Sequence, residues 1–380
     1  MKSCRLSIGV DFHEWDGIFQ GSRNHVLGIY RHAIMQAPDV EFVFFLESVD
    51  SLRASYREFR RANVRLVYMS RRHGLIRLAC QLPWLCWREK VDVLHTQYRV
   101  PFLSVGPTVC TIHDVLFETH PQFFSHWFAR EAHAMFRMAA RRAHVLFTVS
   151  NYSKQEIIRH YGVTPEKIQV TYNGVDRCRF FPGSDGRECV EALGLTPGNF
   201  ILMVGRLEPR KNHETLIKAW ARLGDLAPPL VIVGQDDPNF PQLQDLINEV
   251  ASGQRVIQFK HMGDDVLPAV MRHATVFAYP AFAEGFGMPV AEAMASGVPV
   301  ITSNVTSLPE VAGDGAVLCD PYDEEDLYRA LRQVLTMSET ERAKLVELAM
   351  EQVQRFDWNC SAGILVAGLK AATAQHKGAM

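Results

Sequence analysis

The sequence has no apolar run that approaches the ~18 residues needed to span a bilayer as a helix. It has no low-complexity tract and no short internal repeat. Hydrophobic residues make up 47% of the chain and charged residues 22%, values that exclude a disordered, collagen-like or coiled-coil protein. The apolar stretch in the opening MKSCRLSIGVDF is too short for a signal peptide and predicts a buried strand instead.

Cysteine motifs are also missing. None of the eight cysteines forms a CxxC pair, so we expect reduced thiols in a cytoplasmic protein rather than disulfides or zinc ligands. The dinucleotide fingerprint GxGxxG is absent, which argues against a nicotinamide dehydrogenase. The chain has a net charge of −2 and no recognised nucleic-acid-binding motif, so we expect no nucleic-acid partner.

The length of 380 residues predicts two domains. The small net charge hides an asymmetry, because residues 1–178 carry a net charge of +7 and residues 179–380 a net charge of −9. A basic half joined to an acidic half indicates two domains with different partners.

Short β-branched runs alternate with amphipathic stretches along the whole chain. The predicted strands are 5–12, 41–48, 64–69, 91–96, 108–114, 144–150 and 168–174, then 199–205, 229–234, 255–259, 275–280, 298–303 and 315–319. The predicted helices include 22–36, 123–143, 213–223, 241–251, 264–273, 289–296, 323–335, 339–355 and 359–375. Many strands are apolar on both faces, as a parallel sheet covered by helices requires. The pattern predicts an α/β protein with two doubly wound sheets, divided near 176–198.

A loop followed by a helix is predicted at EGFGMPVAEAMASGVPVI, residues 284–301. Pro289 suits the first turn of this helix and Gly297 its end. The N–H groups before the helix would lie at the positive end of its dipole, which is an anion-binding arrangement. Glu284 and Glu292 flank that position, and two carboxylates there suit a ligand with both phosphates and hydroxyls. A surface glutamate and a glutamate that stabilises the helix dipole are the alternative interpretation.

A cationic turn, GRLEPRKN at residues 205–212, follows another predicted strand. Gly205 turns the chain at the carboxyl end of the strand, and Arg206 and Lys211 supply fixed cations, with Arg210 nearby. Ligands of open α/β sheets bind at this edge, and cations there would neutralise a diphosphate. An exposed basic turn paired with neighbouring glutamates is the alternative.

Together these segments are similar to a known family. EGFGMPVAEAMASGVPV resembles the E-x7-E signature of retaining glycosyltransferases of the GT-B architecture, family 4, and GRLEPRKN resembles their phosphate-binding loop. GVDRCRFFP (174–182), TSLPEVAGDGAVLCDPYD (306–323) and FDW (356–358) resemble further segments of the family in the same order.

The resemblance covers essentially the whole chain and implies two Rossmann-like domains that face a central cleft. It implies an acceptor-side domain at 1–178, a nucleotide-sugar-binding domain at 179–355 and a helix at 356–380 that returns to the first domain.

The resemblance also implies roles for individual residues. Glu284 would contact hydroxyls of the transferred sugar, and Glu292 would contact the ribose. The implied catalytic set is Arg206, Lys211, Glu284 and His113. The implied donor-binding set is Gly21, Gly205, Lys260, His261, Met262, Gly285, Phe286, Gly287, Met288 and Glu292. No carboxylate is clearly placed as a covalent nucleophile, so we expect a same-face substitution in which cations stabilise the leaving diphosphate.

For the same reason we expect no cofactor and no essential metal. The fixed cations take over the role of a metal ion, and no Asp-x-Asp pair stands at the end of a predicted strand in the manner of a metal site.

In the first domain, Gly17 and Gly21 lie in a loop that resembles the family's glycine loop, which faces donor phosphate and acceptor. His113 and Asp114 end the strand segment TIHD. The resemblance to mannosyl- and rhamnosyltransferases with a similar TIHD implies a contact to the donor sugar or the acceptor. A buried structural histidine and an aspartate that caps a turn are the alternatives.

The segment TIHDVLFETHPQFF (111–124) favours GDP-mannose as the donor and a glycan or polyprenyl-diphosphate-linked acceptor in cell-surface polysaccharide assembly. A UDP- or dTDP-sugar is the alternative donor. A nucleotide-sugar epimerase or hydrolase and a non-catalytic sugar-nucleotide-binding scaffold are the alternative functions.

Arginine is concentrated in one stretch. Residues 53–77 contain eight arginines and a single acid, and LACQLPWLCWREK (78–90) follows with two tryptophans beside charges. This pattern suits peripheral contact of residues 53–90 with an anionic membrane, on the inner face of the cytoplasmic membrane. A solvated helix face followed by a core helix is the alternative.

Overall fold

The computed structural model describes residues 5–17, 21–70, 72–103, 106–237, 245–247, 249 and 256–378. The chain divides into two compact units. Unit 1 contains Met1–Gly174 and Asp357–Met380, and unit 2 contains Val175–Phe356. The chain therefore leaves unit 1 once and returns to it, and the first crossing falls a few residues before the boundary at 178 that the sequence predicts.

Unit 1 is built on a seven-stranded sheet in the order β3-β2-β1-β4-β5-β6-β7. Its strands are β1 (Ser7–Asp11), β2 (Glu41–Leu46), β3 (Val64–Tyr68), β4 (Val93–Gln97), β5 (Thr108–Thr111), β6 (Val145–Thr148) and β7 (Ile168–Val170). Every pair of neighbours is parallel. The central strands are buried along their whole length, as their continuous apolar character requires.

Helices cover both faces of this sheet. The α-helices before the crossing to unit 2 are α1 (Gly21–Gln36), α2 (Val49–Ser55), α3 (Gly74–Ile76), α4 (Leu82–Glu89), α5 (Leu116–Thr119), α6 (His126–Arg142) and α7 (Asn151–Tyr161). A π-helical turn, Arg77–Gln81, joins α3 to α4. Alternate residues of β2 point to opposite faces, so Phe44 packs with α1 and α2 on one face, and Phe45 packs with α4 on the other.

Unit 2 is built on a six-stranded parallel sheet in the order β10-β9-β8-β11-β12-β13. Its strands are β8 (Ile201–Val204), β9 (Leu230–Val233), β10 (Val256–Phe259), β11 (Val276–Tyr279), β12 (Val300–Ser303) and β13 (Val317–Cys319). Its α-helices are α8 (Arg187–Ala192), α9 (His213–Ala221), α10 (Leu267–Arg272), α11 (Met288–Ala295), α12 (Leu308–Ala312), α13 (Glu324–Leu335) and α14 (Glu339–Gln352). The helix predicted at 241–251 falls mostly outside the described residues.

The last helix, α15 (Trp358–Gly378), belongs to unit 1. Its apolar residues Leu365 and Leu369 are fully buried in the same core cluster as α1 and β2. Gly28 of α1 lies directly against the indole of Trp358, where an added Cβ would be 2.5 Å from the ring. The two doubly wound parallel sheets confirm the predicted fold class. No helix among the described residues is long and apolar enough to cross a membrane.

The strand order places the ligand edge of each sheet. In unit 2 the chain builds outward from β8 through β9 to β10 and then resumes on the other side of β8 with β11. In unit 1 the same reversal falls between β1 and β4. In open α/β sheets, ligands bind outside the carboxyl ends of the strands at such a switch point.

Candidate active site

The two segments singled out in the second half of the sequence meet at the switch point of unit 2. Residues 205–212 follow β8, and residues 280–287 follow β11, which is the neighbouring strand. The loop after β8 must pass close to the end of β9, because a Cβ added at Gly234 would lie 1.9 Å from the carbonyl oxygen of Gly205. Only glycine fits at position 234, and it lets the two loops run side by side.

Lys211 is the centre of this site. Its ammonium donates to the hydroxyl of Tyr279, the last residue of β11, at 2.7 Å and to the carboxylate of Glu284. Tyr279 donates in turn to the same Glu284 oxygen at 2.8 Å. The guanidinium of Arg210 lies 3.0 Å from that oxygen. Two cations and a phenol therefore converge on one buried carboxylate.

The electrostatics of this cluster fix its charges near neutral pH. Burial disfavours the ionised form of Glu284, but the charges of Arg210 and Lys211 outweigh it and lower the pKa of the carboxyl to about 2. Burial and the neighbouring Arg210 lower the pKa of Lys211, while Glu284 opposes that change. Glu284 is therefore an ionised hydrogen-bond acceptor, and Lys211 is a desolvated donor that a phosphate oxygen could share.

The backbone around Glu284 is held from both sides. Its N–H donates to the Thr306 hydroxyl at 3.1 Å, and its carbonyl accepts from the Ser307 hydroxyl at 2.8 Å. On the other loop, Asn212 has a φ of +61°, and its amide donates to the carbonyl oxygens of Pro280 and Pro321 at 2.9 and 2.8 Å. These bonds tie the loop after β8 to the loop after β11 and fix the position of Lys211.

The predicted helix end lies beside this cluster. Gly287 precedes α11 with a φ of +97°, and its carbonyl accepts from Val290 and Ala291. Within the described residues, the N–H groups of Gly287 and Met288 have no partner. Phe286 is buried, and its ring packs edge-on against Phe356 at 5.2 Å, which anchors the loop. Gly285 is buried between Glu284 and Phe286.

Glu292 lies on α11, and its carboxylate has a different environment from that of Glu284. Burial raises its pKa to about 7, with Arg179 opposing and Asp264 adding to the increase. Within the described residues, no side chain hydrogen-bonds to its carboxylate. A carboxyl that is half-protonated near neutral pH can both donate to and accept from a diol.

The loop with the predicted donor-binding residues Lys260, His261 and Met262 follows β10. Lys260 is exposed and pairs with Asp236 at 2.6 Å, and His261 lies 3.3 Å from the Gln235 amide. Met262 is partly exposed. These contacts join the ends of β9 and β10, and the side chains of Lys260 and His261 stay exposed to solvent.

Arg206 is placed differently from Lys211. Its side chain is exposed, and within the described residues it pairs with no carboxylate. Arg210, rather than Arg206, is the arginine beside Glu284. Sequence reasoning also missed Tyr279, although a polar residue that ends a predicted strand at the ligand edge was a usable signal.

Unit 1 has its own cluster at the carboxyl edge of its sheet. His113 follows β5 and is buried. Its Nε2 lies 2.8 Å from the Gln97 side-chain oxygen, and its ring packs against those of His25 and Tyr98 at 4.8 and 4.9 Å. Burial lowers the pKa of His113 well below its usual value, with His25 adding to the effect. The imidazole is therefore neutral at physiological pH.

The other predicted residues of unit 1 are Asp114, Gly17 and Gly21. The carboxylate of Asp114 accepts from the N–H of Leu116 at 3.2 Å, as a turn cap does. Gly21 begins α1 and has open space around its Cα, and Gly17 ends the short helical turn before it. The residues between them lie outside the described part of the chain. No contact with the described residues of unit 1 requires glycine at either position.

A buried ion pair at the end of β1 was not predicted. Arg77 donates to the carboxylate of Asp11 and contacts the ring of His13. Burial opposes ionisation of Asp11, but Arg77 and His13 lower its pKa far below the usual range. Arg77 belongs to the arginine-rich stretch that predicts a membrane surface, so for this residue the prediction of a surface position is wrong: its side chain is buried.

The arginine-rich stretch does not form one surface. Leu52 and Phe59, which anchor residues 53–61, pack into the core on one face of the sheet, whereas Leu78 and Leu82 pack on the other face. The stretch therefore passes across the edge strand β3, and residues from Val67 onward pack on the face of α4.

The predicted absence of a metal requirement stays a prediction. Among the described residues, no group of three or more His, Cys, Asp or Glu side chains could hold a metal ion.

Comparison with known proteins identifies the family. The family model "Glycosyl transferases group 1" matches residues 190–352, and the model "Glycosyltransferase Family 4" matches residues 19–179. The chain is 32% identical over 260 residues to O-antigen chain mannosyltransferase B of Escherichia coli, covering 67% of this chain and 68% of the relative. It is 28% identical to O-antigen chain mannosyltransferase RfbU of Salmonella typhimurium, covering 66% and 68%.

Other relatives are longer. The serotype-specific mannosyltransferase WbdA of Escherichia coli is 29% identical over 69% of this chain, and the match spans 33% of its own length.

Solved structures share the fold. A sucrose-phosphate synthase from Thermosynechococcus elongatus matches with a TM-score of 0.78 at 20% identity, covering 97% of this chain and all of the other. Anabaena Alr3699/HepE in complex with UDP and glucose matches with a TM-score of 0.75 at 20% identity, covering 97% and 100%. The chain belongs to the group 1, family 4 glycosyltransferases and has their GT-B fold of two Rossmann-like domains.

Proposed function

We propose that this family 4 glycosyltransferase moves a mannosyl group from GDP-mannose, with retention of configuration, to a glycan or polyprenyl-diphosphate-linked acceptor in cell-surface polysaccharide assembly. The observation that carries the proposal is the pairing of Lys211 with Glu284 and Tyr279 at the switch point of unit 2. The choice of mannose is supported by the relatives, which are named O-antigen chain mannosyltransferases.

The chemistry follows from the charges in this cluster. The donor diphosphate would accept hydrogen bonds from Lys211 and from the unpaired N–H groups of Gly287 and Met288, with Arg206 free to reach it. Glu284, ionised at neutral pH, would accept from hydroxyls of the transferred sugar. Glu292 would hold the ribose diol. The hydrogen bonds from Lys211, Arg206 and the N–H groups become stronger as the leaving diphosphate acquires charge. Because they stabilise the transition state more than the bound donor, they lower the barrier.

The bond changes are those of a same-face substitution. The bond between the anomeric carbon and the phosphate oxygen breaks, and an acceptor hydroxyl oxygen forms the new bond on the face from which the diphosphate leaves. The hydroxyl proton passes to a phosphate oxygen of that leaving group. In unit 1, we propose that neutral His113 contacts the donor sugar or the acceptor.

A donor screen followed by product analysis tests the proposal. Thermal shift with GDP-mannose, UDP-glucose and dTDP-glucose should show stabilisation by the GDP-sugar, because a ligand that binds only the native state raises the stability. Incubation with GDP-mannose and a lipid-linked glycan extract should then yield a mannosylated product whose anomeric proton shows retention. Preferential stabilisation by a UDP- or dTDP-sugar would overturn the mannosyl assignment.

The same assay separates the other functions. Free sugar or an epimerised donor formed without acceptor would identify a hydrolase or epimerase. Donor binding with no turnover on any acceptor fraction would identify a sugar-nucleotide-binding scaffold. Activity that persists after exhaustive treatment with EDTA is expected, since the cluster supplies positive charge without a metal.

A further inference from the structure

Side-chain hydroxyls bind the loop after β11 to the neighbouring strand β12. Thr302 and Ser303 are the last two residues of β12, and they donate to the carbonyl oxygens of Tyr279 and Ala281 at 3.0 and 2.6 Å. Thr302 and Ser303 are both fully buried. Because these bonds begin at the last residue of β11, they fix the path of the loop from its start.

The loop after β12 continues this series of hydroxyls as far as Glu284. The Thr306 hydroxyl accepts from the Glu284 N–H at 3.1 Å, and the Ser307 hydroxyl donates to the Glu284 carbonyl oxygen at 2.8 Å. Ser307 is fully buried and Thr306 is half-buried. The series therefore ends at the residue whose carboxylate is surrounded by the two cations of the site. We call its four members, Thr302, Ser303, Thr306 and Ser307, the hydroxyl ladder.

The backbone of Thr306 is in a left-handed conformation. Its φ is +57°, and in the described part of the chain the other non-glycine residues with a positive φ are Lys90, Tyr98 and Asn212. Of these four residues, only Thr306 is β-branched, and a branched Cβ makes this conformation costly. Such strain persists where the surrounding structure holds it, and it is concentrated at functional sites.

We propose that Thr306 is a positioning residue for the transferred sugar. Its strained backbone directs the hydroxyl to the Glu284 N–H, and this bond sets the place at which the Glu284 carboxylate contacts the sugar hydroxyls. The contact between Glu284 and the sugar rests on the proposed function, whereas the contact between Thr306 and Glu284 does not. A carboxylate that acts on a transition state must be held to within about 0.5 Å, and the residues behind it provide that accuracy.

Three substitutions separate the hydroxyl from the strained backbone. Thr306→Ser keeps the hydroxyl, Thr306→Val keeps the branched shape without it, and Thr306→Gly has neither. For transfer from GDP-mannose, kcat/KM should stay within about twofold of wild type in Thr306→Ser and fall about tenfold in the other two, because a displaced carboxylate stabilises the transition state less. In urea unfolding, Thr306→Gly should be more stable than Thr306→Val, because glycine adopts a positive φ without strain.

The matched control is Thr275→Val, at the amino end of β11 and therefore at the opposite edge of the same sheet. The Thr275 hydroxyl accepts from the Phe200 N–H at 3.1 Å and donates to the Gly198 carbonyl oxygen at 2.8 Å. The control thus also removes a hydroxyl that binds the backbone of a neighbouring segment. It should lower the midpoint of urea unfolding and leave kcat/KM at the wild-type value.

Binding of GDP distinguishes loss of the sugar contact from damage to the whole site. GDP lacks the sugar that Glu284 would contact, so its dissociation constant in titration calorimetry should be the same in Thr306→Val and wild type. A purely structural role of Thr306 would weaken GDP binding together with transfer.

Hydrogen exchange tests the contact without any ligand. With mass spectrometry resolved to single residues, the Glu284 amide should exchange faster in Thr306→Val and Thr306→Gly than in wild type and Thr306→Ser, because its acceptor is missing. Wild-type kcat/KM in Thr306→Val, equal losses of kcat/KM and GDP affinity, or unchanged exchange of this amide would each overturn the proposal. A wild-type protein that neither binds GDP nor transfers mannose would contradict the proposed function instead, and the exchange rate would then decide the contact by itself.

Discussion

At the scale of single residues, the proposed chemistry depends on the ammonium group of Lys211. Replacing it with alanine removes the ammonium that would meet the leaving diphosphate, and we expect turnover at saturating donor to fall by about a hundredfold or more. Arg210 remains beside Glu284 at 3.0 Å, so the carboxylate keeps a cationic partner and the fold should survive.

The control is Lys218→Ala, at an exposed lysine of helix α9, which follows Lys211 in the chain; Lys218 pairs with Glu214. It should retain wild-type turnover. Wild-type-like turnover of Lys211→Ala at saturating donor would remove Lys211 from the mechanism.

Glu292 makes the stability of the protein depend on pH. Its pKa is about 7 in the folded protein and 4.5 as the ordinary value, so between these values the folded protein binds a proton that the unfolded chain has released. The free energy of unfolding therefore falls as pH rises through this window. Glu292→Gln cannot ionise, so relative to the wild type it should gain stability from pH 4.5 to pH 8, measured by urea unfolding.

Glu214→Gln, at an exposed glutamate of α9, is the control and should follow the wild-type curve. A difference between Glu292→Gln and wild type that stays constant with pH would contradict the raised pKa.

The sequence predicts the candidate residues better than it predicts their partners. Lys211 and Glu284 stand out because glycine, cations and a carboxylate follow two strands. The spacing cannot show that Arg210 rather than Arg206 faces Glu284, because the short helical turn Pro209–Lys211 decides the direction of each side chain. Nor can it show the ion pair of Asp11 with Arg77, whose members are 66 positions apart.

At the scale of elements, the N-terminus of α11 depends on one glycine. Gly287 has a φ of +97°, and a Cβ there would be 2.6 Å from a methyl group of Leu308. Gly287→Ala should therefore lower the free energy of unfolding and weaken donor binding, because the loop that presents the N–H groups must shift.

Gly194→Ala separates this contact from backbone strain. Gly194 also has a positive φ, +76°, but no atom lies within 4 Å of an added Cβ. It should cost only the left-handed strain, about 1 kcal/mol, and leave donor affinity unchanged in titration calorimetry. Equal effects of the two substitutions on affinity would show that the helix end does not hold the donor.

The alternation of apolar runs predicts which segments are strands and helices, but the backbone hydrogen bonds and the capping side chains set where each one ends. The run predicted at 168–174 is paired as a strand only for Ile168–Val170. The helix predicted from 123 begins at His126, because the Ser125 hydroxyl accepts from the N–H of Phe128 and caps it. The apolar pattern of the sequence does not predict the π-helical turn Arg77–Gln81, whose first residue, Arg77, is buried and donates to Asp11 at the end of β1.

At the scale of the whole molecule, the composition and rhythm of the chain predict the class of fold because parallel sheets require strands that are apolar on both faces. The return of the last helix to unit 1 does not follow from periodicity. The resemblance of FDW (356–358) to a segment of the glycosyltransferase family predicts this return. The structure shows its physical basis, because Trp358 packs against glycines at positions 28 and 174.

That return makes unit 1 depend on residues more than 180 positions away from its strands in the chain. Leu365 of α15 is fully buried in the core shared with α1, so Leu365→Ala leaves a cavity and should lower the free energy of unfolding by about 2–5 kcal/mol. Its neighbour Ile364 is 39% exposed, and Ile364→Ala should cost less than about 1 kcal/mol, because little apolar surface leaves the core. Urea unfolding of both variants, followed by tryptophan fluorescence, checks the difference. Equal and small losses would mean that unit 1 is stable without α15, whereas the predicted contrast would show that the two ends of the chain fold as one unit.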